Sequence, residues 1–240
     1  MTPPADVYRI WVYLYQTPLL WLTATLIAFA IGDTISRLLH RHPVANPVVI
    51  AAGLLIALLG VTGTPYPVYF EGAQFVHFLL GPATVALGLP LWRNRRAVRR
   101  SLVPMCAALV AGSVTAMASA VAIAWVFGAP SEILASLAPK SVTAPIAMAL
   151  TQVIGGIPAL AAVLVVLTGI LGSVMVTPLM NALRIRDFAA RGFAVGVASH
   201  GIGTARAFQV GEEAGTFAGI AMGLNGALTS LVFLVLPLFL

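Results

Sequence analysis

The sequence predicts an all-α integral membrane protein, a polytopic helical bundle with two broken or re-entrant segments forming an inverted repeat. Three observations predict it. The 240 residues are 60% hydrophobic and 8% charged, with a mean hydropathy of +1.01, where a soluble domain carries about a quarter charged residues. The runs Ile10–Gly32, Ser101–Ser131, Ser141–Leu183 and Ala214–Leu240 hold no charge at all, and a bilayer-crossing helix needs about 20 apolar residues. Two stretches, Ala138–Pro145 and Ala198–Arg206, set prolines or glycines beside Lys, His, Arg and hydroxyl residues. Broken backbone of that kind is tolerated at membrane depth only where it lines a protein-enclosed cavity.

The formal net charge of +6 does not indicate nucleic acid, because the arginines stand between apolar segments and mark cytoplasmic loops. Contact with anionic lipid of the bilayer follows. Cys106 is the single cysteine, which excludes an intramolecular disulfide and a cysteine metal cluster. The apolar run from Ile10 is long and lacks the basic flank of a cleavable signal. The chain reads as one transporter-like domain over 1–240.

The elements follow in order. The N-terminus is expected outside. A span over 17–39 runs inward and ends at Arg37 and Arg41. A span over 45–62 returns, and Gly63-Thr64-Pro65-Tyr66-Pro67 forms an outer turn. A span over 72–92 runs inward to Arg93, Arg95, Arg96, Arg99 and Arg100, and a span over 102–127 goes out again. The arginines at 184, 186 and 191 stay inside if 131–156 dips in from outside before the span over 159–183. Equally, 188–212 dips in from inside before the last span over 215–238. Two broken segments from opposite faces are a mark of an inverted repeat; full crossings unwound midway are the alternative. Gly81-Pro82-Ala83-Thr84-Val85 echoes Ala138-Pro139-Lys140-Ser141-Val142. Pro82 and Thr84 thereby become pocket-shaping candidates, against a plain proline kink.

Lys140 is the one lysine beside twelve arginines, so its position wants a compact point charge; the plain alternative is a snorkelling interface lysine. Pro139 breaks the helix before it. Ser141 and Thr143 are expected to cap the next half-helix, with Pro145 in its first turn and its amides open to an anion. His200 and Arg206, six residues apart, face different sides of a continuous helix. They converge only if Gly201 and Gly203 break it; otherwise they read as a core histidine and an interface arginine. Ser199 and Thr204 add hydroxyls. Asp33 and Arg37 suit an i, i+4 pair. His77 and Asn225 read as helix–helix glue, Asn225 lying at a depth where it also shapes the pocket. Positive groups without a well-placed carboxylate point to a small organic anion bearing a hydroxyl or keto group.

At these motifs the chain resembles the LrgB/CidB family, which includes the membrane part of the plastidic glycolate/glycerate transporter. The resemblance covers about Asn46 to Leu236. It rests on Phe78-Leu-Leu-Gly-Pro-Ala-Thr-Val-Ala-Leu-Gly-Leu-Pro-Leu91, Leu137-Ala-Pro-Lys-Ser-Val-Thr-Ala-Pro-Ile-Ala-Met148, Gly155-Gly-Ile-Pro-Ala159, Ala198-Ser-His-Gly-Ile-Gly-Thr-Ala-Arg206 and Ala221-Met-Gly-Leu-Asn-Gly226. It implies a multi-pass bacterial cell membrane protein with one of two roles. One is an antiholin-like regulator of murein hydrolases and autolysis, acting with a small LrgA/CidA-type membrane partner. The other is a carrier of glycolate, glycerate or pyruvate.

The residues favour the carrier, since a regulator needs packing surfaces rather than cations at helix breaks. Lys140 and Arg206 are expected to bind the carboxylate, and Ser141, Thr143, Ser199 and Thr204 the rest of the solute. His200, with an ordinary pKa near 6.5, serves as proton carrier or donor. Coupling to a proton or a sodium ion, no cofactor, no enzymatic activity and a homodimer complete the expectation.

Overall fold

The computed structural model describes residues 17–42, 45–79, 82, 92–93 and 95–235, and every regular element among them is an α-helix. The chain sorts into two compact units, Met1–Ala86 and Leu87–Leu240. The first holds α1 (Pro18–Leu38), α2 (Pro47–Thr62) and α3 (Tyr66–Phe78). Proline opens α1 and α2, where a missing N–H removes no helical bond. The Asn46 side chain caps α2 by accepting from the Val48 amide at 2.9 Å, and Gly63, at φ +65°, ends it. The outer turn is shorter than expected, because the helix already starts at Tyr66, with Pro67 harmless in its first turn.

Inside this unit α3 lies against the start of α1. A Cβ on Gly72 would sit 2.2 Å from the Pro18 carbonyl oxygen, so only glycine lets the helices approach so closely. Trp21 is fully buried there and meets Tyr69 edge-on at 6.1 Å. At the far end of α1, Asp33 accepts from Arg37 Nε at 2.7 Å and from Arg41 Nη1 at 3.3 Å, the expected i, i+4 pair extended by a second arginine. Pro82 is helical and exposed; Thr84 lies outside the described residues.

The second unit holds α4 (Arg95–Arg100), α5 (Leu102–Val126), α6 (Ser131–Leu137), α7 (Ala144–Val153), α8 (Pro158–Ala182), α9 (Phe188–Val210) and α10 (Glu212–Val235). Among the described residues, α1, α5, α8 and α10 are long and apolar enough to cross a membrane. The outward faces of α5 and α8 carry exposed Val103, Val110, Val114, Ile123, Leu167 and Leu171. So much exposed hydrocarbon is incompatible with a water-facing surface and suits lipid. The chain is an all-α membrane protein.

The core of this unit is the α9–α10 pair against α5 and α8. Met105 and Leu109 of α5, Phe193 and Val197 of α9, and Phe217 and Ala221 of α10 form one buried cluster. Glycines set the spacing: a Cβ on Gly192 would lie 2.0 Å from the Ala214 carbonyl oxygen, and one on Gly196 would lie 2.2 Å from that of Ala218.

Candidate functional site

α9 doubles back on itself. Ser199 (φ −129°, ψ 15°) and His200 (φ 42°, ψ −133°) leave helical geometry. Val195 and Ala207 nevertheless share one buried cluster, although a continuous helix would hold them about 18 Å apart at 1.5 Å per residue. A Cβ on Gly203 would lie 3.1 Å from the Val195 carbonyl oxygen. Residues 188–198 and 201–210 are therefore antiparallel limbs, with Ser199–His200 at the tip. Both limbs contact the start of α10: Gly192 meets Ala214, and Phe208 meets Gly215.

The other broken segment also returns. The Ile157 amide, beyond α7, donates to Ser136 Oγ of α6 at 2.7 Å, and Ser136 in turn donates to the Glu132 carbonyl. Between the two helices runs the turn Ala138-Pro139-Lys140-Ser141-Val142-Thr143, with Pro139 and Val142 buried and Lys140 half-buried.

The two breaks meet at Asn225, near the middle of α10. Its Nδ2 donates to the Ser141 carbonyl at 3.2 Å and to the Val197 carbonyl at 3.1 Å. The physical reason is simple. Interrupting a helix leaves carbonyls without their i+4 donors, and in a dry interior each needs a partner. One amide side chain serves one carbonyl from each segment. His200 Nε2 lies 2.9 Å from the Val165 carbonyl oxygen; a carbonyl only accepts, so Nε2 carries the hydrogen. That leaves Nδ1 as the nitrogen able to exchange a proton. The Lys140 ammonium lies within 3.4 Å of Ser141 Oγ.

The structure thus brings Lys140, Ser141, Ser199, His200 and Asn225 to one region. It corrects the expected break: Gly201 and Gly203 are helical, and the chain turns at Ser199–His200 instead. Gly203 supplies room, since a Cβ there would be 2.6 Å from Ser199 Cβ. Arg206 lies elsewhere, six residues down the return limb, lining a small cavity with Arg191 and Thr177. Thr204 Oγ1 donates to the His200 carbonyl at 2.7 Å, so its proton is held in the hairpin. Thr143 precedes α7 but makes no side-chain cap, while Pro145 takes the first turn and is exposed.

Residues of α8 complete the tip. A Cβ on Gly172 would lie 1.7 Å from Ser199 Oγ, and one on Gly169 would lie 2.8 Å from His200 Cε1. Their Gly-x-x-Gly spacing is the one signal in the sequence that could have pointed to them, as a smooth face for close approach. Ser199 is fully buried, and among the described residues neither Ser199 Oγ nor Asn225 Oδ1 has a hydrogen-bond partner. Buried polar atoms are rarely left so. Together these groups offer a cation, a proton-exchanging nitrogen and two open polar atoms.

Comparison with known proteins agrees with the resemblance. Residues 25–239 match the LrgB-like family. The uncharacterized protein YwbG of Bacillus subtilis (strain 168) is 34% identical over 184 residues, 77% of this chain and 82% of that protein. An uncharacterized protein of Haemophilus influenzae is 32% identical over 89% of this chain and 92% of its own. The holin-like protein CidB of Staphylococcus epidermidis is 27% identical over 93% of this chain and 97% of its own. No solved structure matches. With these relatives and its lipid-facing helices, this multi-pass protein of the bacterial cell membrane belongs to the LrgB-like family.

Proposed function

We propose that the chain is a holin-like membrane protein that acts by passing small 2-hydroxy or 2-keto monocarboxylates, of the glycolate, glycerate and pyruvate class, through the membrane. The holin-like half follows the printed names of its CidB relatives. They favour an antiholin-like role in murein hydrolase control and autolysis, alongside a small LrgA/CidA-type partner. Those names say nothing of transport. The carrier half is supported by one observation: Asn225 ties a carbonyl from each broken segment, beside Lys140 and His200. Pure packing has no use for two ionisable side chains beside two helix breaks.

Lys140 binds the carboxylate as a point charge, helped by the uncapped first turn of α7. Ser141 and Ser199 take the hydroxyl or keto oxygen. His200 Nδ1 carries a coupled proton, with a sodium ion as the other candidate. Access alternates as the α6–α7 and α9 hairpins shift against α5, α8 and α10. A homodimer is the assembly we assign to it.

Uptake of labelled glycolate and pyruvate into proteoliposomes tests this. Wild type should accumulate both, and Lys140→Ala should lose about tenfold or more, since a charge-assisted hydrogen bond contributes roughly 1.5–3 kcal/mol. A wild-type protein that moves neither acid, yet still alters autolysis in cells, ends the carrier half and leaves the regulator.

A further inference from the structure

A groove of about 510 Å³ runs between α5 and the first limb of α9. One end holds Ser101, which precedes α5, and Asp187, which caps α9. The other end reaches Ala116 of α5 and Ala198 of α9, next to the hairpin tip at Ser199–His200. Both helices follow arginine-rich stretches, Arg95–Arg100 and Arg184–Arg186, which puts the first end on the cytoplasmic side. From Asp187 to Ala198 the limb rises about 16 Å at 1.5 Å per residue. One leaflet of the hydrocarbon core is roughly 15 Å thick, so the groove has the depth of a single acyl chain. Its walls are narrow side chains: Ala108 and Gly112 of α5 face Ala190 and Ala194 of α9 across it. Elsewhere the exposed residues of α5 are bulky, among them Val103, Val110, Val114 and Ile123. The helices close the floor where a Cβ on Gly112 would lie 3.2 Å from Val197 Cγ1. Ala108, Ala190 and Ala198 are exposed, so the groove opens on the outside of the unit.

The mouth is cationic. Val98 of α4 packs against the cluster that holds Met105, Phe193 and Phe217, and all three of those line the groove. That contact sets α4 at the mouth, and its arginines at 95, 96, 99 and 100 are exposed. Asp187 is the one acidic residue among the described lining, and its carboxylate already accepts from the Ala190 amide at 2.7 Å. We propose that this groove holds one acyl chain of an anionic phospholipid from the inner leaflet, with the lipid phosphate against the arginines of α4. An apolar slot one leaflet deep under a basic rim matches both ends of such a lipid. The chain lies along the first limb of α9 and braces the hairpin that carries His200. The lipid sits there whether the protein carries acids or regulates autolysis.

Native mass spectrometry of the full chain, titrated with phosphatidylglycerol or phosphatidylcholine of equal chain length, tests this. Wild type should hold one phosphatidylglycerol several-fold more tightly than phosphatidylcholine. Ala108→Phe and Ala190→Phe, one on each wall, should each weaken that binding several-fold, so either variant serves where the other fails to fold. Arg99→Gln with Arg100→Gln should remove the preference for phosphatidylglycerol and keep weak binding of both lipids. Val114→Phe, on the exposed surface of α5 outside the groove lining, should change nothing. Undiminished phosphatidylglycerol binding in both wall variants overturns the groove as the site. Equal affinity of wild type for the two lipids overturns the anionic headgroup. A shift from dimer to monomer in the wall variants, with lipid binding unchanged, assigns the groove to a second copy of the chain and overturns the lipid.

Discussion

His200 shows how much one residue can set. Its φ of +42° lies where L-residues with a Cβ are strained by about 1–3 kcal/mol. The strain is held by the Nε2 bond to Val165, the Thr204 bond to its own carbonyl and the glycine face of α8. Glycine adopts such a φ freely. We therefore expect His200→Gly to melt higher than His200→Ala in the same detergent, by roughly 1 kcal/mol, although both lose the imidazole. Equal melting, or a more stable alanine variant, would show the tip to be unstrained. Asn225→Leu should cost about 1–3 kcal/mol for each carbonyl it strands, read as a lower midpoint. Lys140 and His200 stand out in the sequence because ionisable residues are rare in this composition. The turn at His200 does not. The sequence offers two glycines one and three residues later, and propensity alone selects them. The strained histidine is decided by tertiary contacts.

At the scale of elements, the α9 hairpin carries the account. Its first limb approaches α10 at Gly192 and Gly196, where the facing atoms are backbone carbonyls. A side chain can rotate away from an intruding methyl; a helix backbone cannot. Gly196→Ala should therefore force α9 from α10 and cost about 1–3 kcal/mol, measured by thermal melting of the purified protein. Gly223→Ala, with nothing within 4 Å of its new Cβ, should leave the midpoint unchanged or raise it. Similar losses from both would remove the close-approach argument. A break in 188–212 was readable from its polar and glycine residues. Which way the second limb runs was not, because fold-back and through-crossing share the same local pattern. Tertiary contacts separate them: Gly203 lies against Val195, and Val195 and Ala207 share one buried cluster. The separation of Arg206 from His200 follows: the same six residues that join them in sequence carry Arg206 down the return limb.

On the scale of the whole molecule, the exposed hydrocarbon of α5 and α8 and the long apolar helices fit a bilayer, and the family match covers nearly the whole chain. Fold class and family were legible in the sequence because composition and motif order carry both. How the two broken segments meet was not, because the contacts that join them, Asn225 to Ser141 and to Val197, span 84 and 28 residues. The central claim is that a small carboxylate binds where those segments meet. It is tested most directly by thiol labelling of Ser141→Cys in a Cys106→Ser background, which leaves a single thiol at the turn beside Lys140. The account predicts that a small methanethiosulfonate reagent labels this thiol and that saturating pyruvate slows the reaction several-fold. Labelling at an unchanged rate in pyruvate, by a variant that still takes up pyruvate in proteoliposomes, would contradict it.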